Sequence, residues 1–338
     1  MDQVVDRDLN ELADRLSRIA PRLQGARLFV TGGTGFFGSW FLRTLIRLNE
    51  RQGLGARAVV LSRDPEAFRA SCPEIAADPS IELLGGDIRS FAAPSATFTH
   101  VIHAATPVVE KMAPAELEDL IVSGTRRALE LARKSGARLL FTSSGAVYGR
   151  KAWENGPVSE ELPCLLDPER DAGYARGKLG AELLCAEFPE VASVIARCFA
   201  TVGPGMEMGQ RFAIGGFIRQ ALEGGPIRIE SDGTPVRSYL YITDVIEWLY
   251  VLLAVGKPLR PYNVGSERRI MIRELAEEVA DALESPARVE VNGTVIPGRR
   301  PEVYVPLTRR AREELGLAET VPLREAIRRT AAAWRTRR

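Results

Sequence analysis

Residues 26–40, ARLFVTGGTGFFGSW, decide the fold. An apolar run breaks into a glycine-rich turn that includes Gly32, Gly35 and Gly38, and an apolar-periodic segment then runs on to Gly53. The run reads as a strand buried on both faces and the segment as a helix. Glycines at this junction let the chain turn tightly, approach a pyrophosphate closely and pack helix against strand, while the helix N-terminus offers N–H donors. The glycine pattern means little by itself, since a plain glycine turn has the same spelling. Its place in the first strand–helix unit points to a dinucleotide, with Phe36 and Phe37 in the first helical turn beside it.

The alternation continues. ARAVVLSRDP, IELLGGDIRS, THVIHAAT, ARLLFTSS and VASVIARCF read as strands, and LEDLIVSGTRRALELARKSG and YARGKLGAELLCAEF as helices. Such a chain predicts an α/β fold, a Rossmann-type doubly wound parallel sheet with helices on both sides. Beyond residue 200 glycine and proline become frequent, and short strands separate amphipathic helices such as RELAEEVADAL. The expected organisation is therefore an N-terminal helical extension over 1–25, a nucleotide-binding domain over 26–200 and, over 201–338, a smaller C-terminal α/β substrate lobe with some segments returning to the sheet.

Composition narrows the function classes. The chain has 338 residues, 45 Lys and Arg against 44 Asp and Glu, and a net charge of +1, which provides no overall basic field for nucleic acid or anionic lipid. Cys72, Cys164, Cys185 and Cys198 show no metal-ligand spacing, and only His100 and His103 could join them, so no metal site is expected. They read as reduced thiols of a cytoplasmic protein. The stretch YLYITDVIEWLYVLLAV carries Asp244 and Glu247 and reads as a buried helix, not a membrane span.

Further positions fit a cofactor of the NAD(P) type. The second strand ends in Ser62-Arg63, where a guanidinium can hold a 2′-phosphate, which favours NADP(H). Asp64 would serve NAD instead if the strand ran longer. Asp87 and Ile88 follow the third strand, where an acid can meet the adenine amino group and an aliphatic side chain can cover the ring. The small residues Ala104 and Ala105, with Thr106, let a dinucleotide lie against the fourth strand.

At the other end, Tyr174 and Lys178 stand four apart in a helical pattern, hence on one face. A phenol at its ordinary pKa of about 10 is a poor base at neutral pH, but a neighbouring ammonium and the positive charge of an oxidised nicotinamide stabilise its phenolate, and Tyr174 would then exchange a proton with a substrate oxygen. Ser144 ends the strand one unit earlier, where neighbouring parallel strands deliver their ends to one crevice.

TGGTGFFG, GDIR, VIHAA, TSSGAVYG, YARGK, ARCFATVGPG, DGTPVRSYLYITD and YNVGS, in this order, resemble the signature of the extended short-chain dehydrogenases/reductases, over about residues 26–320. Within them the chain is similar to the NAD-dependent epimerase/dehydratase family acting on nucleotide sugars. The resemblance implies Ser144, Tyr174 and Lys178 as the catalytic triad. It implies Arg237 and Arg300, the latter with Arg299 beside it, on the substrate diphosphate, and the segment containing Arg211 over the nucleotide base. It also implies a homodimer pairing helices near 115–134 and 174–188.

Three departures accompany it: Ala200 and Ile121 stand where the family often has Asn, and VPLTRRA lacks the usual Asp. A fourth is more telling. Sugar-nucleotide 4,6-dehydratases carry an Asp-Glu pair after the catalytic Ser/Thr, and the decarboxylases a Glu at the second position. Here these are Gly145 and Ala146, which supply neither acid nor base. The expected activity is therefore that of a 4-epimerase or a 4-keto-sugar reductase. The alternatives are a dehydrogenase or reductase of a small non-nucleotide alcohol, expected if Arg237 and Arg300 pair internally, and a non-catalytic cofactor sensor.

Overall fold

The computed structural model describes residues 2–106, 112–209, 211–298 and 300–336. Seven strands form one parallel sheet: β1 (Arg27–Thr31), β2 (Arg57–Ser62), β3 (Ile81–Gly85), β4 (His100–His103), β5 (Arg138–Ser144), β6 (Ser193–Cys198) and β7 (Pro261–Val264). Their order is β7-β6-β5-β4-β1-β2-β3. The direction of winding reverses between β1 and β4, and in an open parallel sheet a ligand binds in the crevice beyond the strand ends at such a switch. The strand over 261–264 lies past residue 200 and completes the sheet.

The sheet is covered on both faces because its strands are apolar on both faces. Every residue of β6 is buried, and so are six of the seven in β5. Helices α1 (Gln3–Leu16) and α2 (Phe36–Gln52) contribute to the larger core, and α3 (Pro114–Ser135) and α4 (Tyr174–Ala186) pack side by side on the opposite face. Gly53 (φ 63°) and Gly136 (φ 63°) end α2 and α3 in the left-handed conformation that glycine adopts without a Cβ penalty.

Helix α1 is not a loose appendage. It lies on α2, on α5 (Ile242–Val255) and on α6 (Leu323–Arg335). Its Asp8 is fully buried and accepts hydrogen bonds from the Tyr241 hydroxyl (2.5 Å) and from Arg329 (2.7 Å). Arg15 pairs with Asp244 (3.0 Å) and Glu247 (3.1 Å) of α5. A buried carboxylate persists only with such partners, so the extension is bolted to C-terminal segments. Among the described residues no helix is long and apolar enough to cross a membrane.

Candidate active site

The glycine turn after β1 is a cradle shaped by what a side chain would strike. A Cβ on Gly32 (φ 72°) would come within 2.4 Å of the Ala104 backbone, and one on Gly38 within 2.1 Å of the Gly32 carbonyl oxygen. Gly35 caps the N-terminus of α2, whose first residues, Phe36 and Phe37, set their rings 5.7 Å apart. Ala104, Ala105 and Thr106 leave β4 across from the turn, and Ala105 N–H donates to the Thr31 hydroxyl (3.3 Å). Backbone packed this closely, beside the N–H groups of a helix end, fits a pyrophosphate.

At the far end of β2, Ser62 is buried and its hydroxyl accepts from Asp64 N–H (3.2 Å). Asp64 caps the next helix by accepting from Ala67 N–H (2.9 Å), so the strand stops at Ser62. Arg63 is exposed, and its charge helps hold the Asp87 carboxyl below its ordinary range, after the larger effect of Arg89. Ile88 is buried against Gly124 of α3.

The first turn of α4 meets the end of β5, bringing Ser144, Tyr174 and Lys178 together. Lys178 is buried, donates to the Thr142 carbonyl (2.6 Å) and lies 4.8 Å from the Phe141 ring centroid and 5.8 Å from that of Tyr174. Burial brings its pKa down to about 8, against opposing pulls from Cys198 and Glu182. Cys198, in the other direction, is pushed up to about 12 by burial.

The Tyr174 phenol stands beside Lys178 on α4. Burial raises its pKa, while the hydrogen bond to Ser144 and the charge of Arg211 pull the other way. The Lys178 ammonium is committed to a main-chain carbonyl, so in this state the cost of burying a phenolate outweighs its attraction.

Arg211 is exposed, its guanidinium lies 5.6 Å from the Phe212 ring, and its charge acts on Tyr174. Arg237 forms an internal ion pair with Glu302. It donates to the Glu302 carbonyl (3.2 Å) and carboxylate (3.4 Å) and sits 5.9 Å from the Tyr304 ring. Arg300 is exposed. Arg299 lies outside the described residues.

Residues unnoticed in the sequence complete the site. Phe199 leaves β6 and lays its ring over Gly145: a Cβ there would be 2.5 Å from two of its ring carbons. Tyr304, from the segment after Arg300, packs 4.8 Å from Phe199 and 4.8 Å from Trp153, and burial pushes its phenol pKa up. Behind the site, Glu182 accepts from Arg197 (2.7 Å) and from the Ser143 hydroxyl (2.5 Å), tying α4 to β5 and β6. Glu182 follows Lys178 by four residues and Tyr174 by eight, so its shared face was readable from spacing. Phe199 and Tyr304 gave no such signal, because chain segments far apart in sequence bring them in.

Known proteins agree with this construction. A model of the NAD-dependent epimerase/dehydratase family matches residues 28–265. UDP-glucuronic acid decarboxylase 1 of Arabidopsis thaliana is 29% identical over 320 residues, covering 92% of this chain and 70% of that protein. Its namesake in Xenopus tropicalis is 27% identical over 309 residues, covering 90% and 71%. Among solved structures, DesIV, a dTDP-glucose 4,6-dehydratase from Streptomyces venezuelae with NAD bound, superposes with a TM-score of 0.76 at 26% identity, covering 92% of this chain and 97% of that one. The UDP-glucuronic acid 4-epimerase of Bacillus cereus shares the fold, with a TM-score of 0.77 at 21% identity and coverage of 92% and 100%. With most of the chain matched and the glycine cradle, strand order and Ser144–Tyr174–Lys178 grouping in place, the protein belongs to the NAD-dependent epimerase/dehydratase family, enzymes of the extended short-chain dehydrogenase/reductase class.

Proposed function

We propose that this enzyme carries out oxidation and reduction at one carbinol carbon of a nucleotide sugar, as a 4-epimerase or a 4-keto-sugar reductase, and neither eliminates water nor decarboxylates. The observation that carries this reading is the Phe199 ring over Gly145. The position where a dehydratase holds an acid is filled by an aromatic side chain from another strand, and Ala146 beside it has no functional group. General acid–base help is worth about 10²–10⁴-fold per group, so both elimination steps would lack their catalyst. The similarity to decarboxylases runs over 92% of the chain, yet Gly145 and Ala146 supply no acid there.

A bound nicotinamide cofactor supplies hydride acceptance and return. The chain's own residues manage the proton. In oxidation the Tyr174 phenolate oxygen takes the proton of the substrate hydroxyl as the carbon loses hydride, and in reduction the phenol gives it back. Ser144 holds the same substrate oxygen, and Lys178 stabilises the phenolate once the positively charged, oxidised cofactor adds to its attraction. At the adenosine end, the exposed Arg63 and the capping role of Asp64 favour a 2′-phosphate and hence NADP(H). A homodimer through the α3–α4 face suits the exposed Leu183 on α4.

The internal pairing of Arg237 with Glu302 favours a second reading, a smaller non-nucleotide alcohol or ketone, because that guanidinium is already engaged. Purified protein incubated with UDP-, dTDP-, CDP- and GDP-sugars and their 4-keto forms separates the two. Isomerisation or cofactor turnover with a nucleotide sugar is expected, with Tyr174→Phe lowering kcat by at least about 10²-fold at nearly unchanged cofactor affinity. Turnover of small alcohols alone, or an active Tyr174→Phe, would reject the proposal.

A further inference from the structure

Glu182 is a buried carboxylate without a part in the chemistry above. We infer that it is a positioning residue of the active site: held by Arg197, it locks the Ser143 hydroxyl and so fixes the end of β5 against α4, which sets Ser144 in place beside Tyr174 and Lys178. The inference rests on the proposed Ser144–Tyr174–Lys178 chemistry and extends it to the contact behind those three groups.

The contact is built from opposed positions of neighbouring strands. Ser143 of β5 and Arg197 of β6 are register partners in the parallel sheet, and both side chains reach the same carboxylate on α4. Arg197 donates to it from Nε (3.0 Å) and Nη2 (2.7 Å), and the Ser143 hydroxyl donates at 2.5 Å. All three residues are buried. The planar guanidinium fork allows a carboxylate little freedom to turn, so the oxygen that meets Ser143 is held in one place. Taking two charges out of water costs about as much as their attraction returns, so what the pair adds is a defined geometry more than net stability.

One turn nearer the site, Lys178 donates to the Thr142 carbonyl (2.6 Å). Successive turns of α4 thus grip successive residues of β5, Thr142 and Ser143, and the next residue is Ser144. Two such contacts fix both the height and the rotation of the helix on the strand end, where one alone would leave a pivot. Arg197 also reaches the turn that follows, with its guanidinium 4.8 Å from the Tyr148 ring. In that turn the Ala146 N–H donates to the Ser144 hydroxyl (3.1 Å). A serine hydroxyl has one proton and two lone pairs, so Ser144, held there by one lone pair, keeps its proton for the substrate oxygen.

Ser143→Ala removes the link and leaves the Glu182–Arg197 pair intact. In this variant kcat should fall about tenfold or more, while KM and cofactor affinity stay within about twofold. A second readout needs no substrate: hydrogen exchange of the Ala146 amide, which reports the Ser144 hydroxyl, should quicken by at least about tenfold, while the Ile195 amide in the middle of β6 keeps its wild-type protection. Glu182→Leu combined with Arg197→Met exchanges the buried pair for apolar side chains; it should keep the wild-type melting temperature and still show the loss of kcat, and Ser143→Ala added to it should change nothing further. Wild-type exchange at Ala146 in Ser143→Ala, or wild-type kcat in either variant, would overturn the inference, and Ser143→Ala alone decides if the paired replacement does not fold. If the wild-type protein turns over no nucleotide sugar, the proposed function falls, and exchange at Ala146 still decides for or against the role of Glu182.

Discussion

Gly145→Ala tests the packing that separates this site from an elimination site. The new methyl carbon would lie 2.5 Å from two carbons of the Phe199 ring and 2.8 Å from a third, where ordinary contact begins near 3.4 Å. Gly145 has no positive φ, so the backbone itself accepts alanine and the conflict is steric alone. Overpacking of this kind costs about 1–3 kcal/mol. Losing the freedom of a glycine in the unfolded chain returns about 0.4–1 kcal/mol. The net expectation is a destabilisation of about 1–2 kcal/mol, roughly a 5- to 30-fold fall in the folded-to-unfolded ratio.

Phe199→Leu should be tolerated at less than about 1.5 kcal/mol if the pocket repacks, and in that background Gly145→Ala should cost nothing or stabilise slightly. Denaturant midpoints for the four proteins, compared at equal slope, measure the coupling. A Gly145→Ala penalty of the same size in both backgrounds would refute the argument, for then Phe199 is not what closes the position. The same cycle shows why grafting Asp and Glu at 145 and 146 alone should leave the enzyme without dehydratase activity.

Two other expectations follow from single residues. His103 is buried between the Thr31 hydroxyl (2.7 Å) and the Thr125 hydroxyl (3.0 Å), and burial, with help from the Lys178 charge, depresses its pKa to about 3. Between that value and the ordinary 6.5 the unfolded chain binds a proton that the native state does not, so stability falls with falling pH in this window. The stability advantage of wild type over His103→Gln should shrink between pH 7 and 4, approaching about 1.4 kcal/mol per pH unit, and a constant difference would mean that His103 is charged in the fold. At the other end of the cofactor cleft, Arg63→Ala should weaken NADPH binding by about tenfold or more and NADH binding far less; equal losses in a fluorescence titration would reject the 2′-phosphate role.

Much of this molecule was legible along the chain because its signals are local. The β1–turn–α2 junction depends on glycines within seven residues, and the Cβ clashes at Gly32 and Gly38 show why no other residue serves there. The Tyr174–Lys178 pair needs only helical spacing, and unbroken apolar runs mark strands covered on both faces. Gly145 and Ala146 could be read as an absence of acid and base from the letters themselves.

What fills that absence belongs to tertiary structure alone. Phe199 arrives from β6 and Tyr304 from a segment 160 residues beyond Ser144, both placed by sheet order and long-range packing that no spacing rule encodes. The pairing of Arg237 with Glu302 is likewise a contact brought about by two short strands, Val236–Arg237 and Val303–Tyr304, that pair far apart in sequence. Burial raises the Tyr174 pKa, and that cost depends on everything packed around the phenol, which spacing along the chain does not encode. Sequence determines which groups are present and which local turns they make; which of them meet in one crevice is decided by packing.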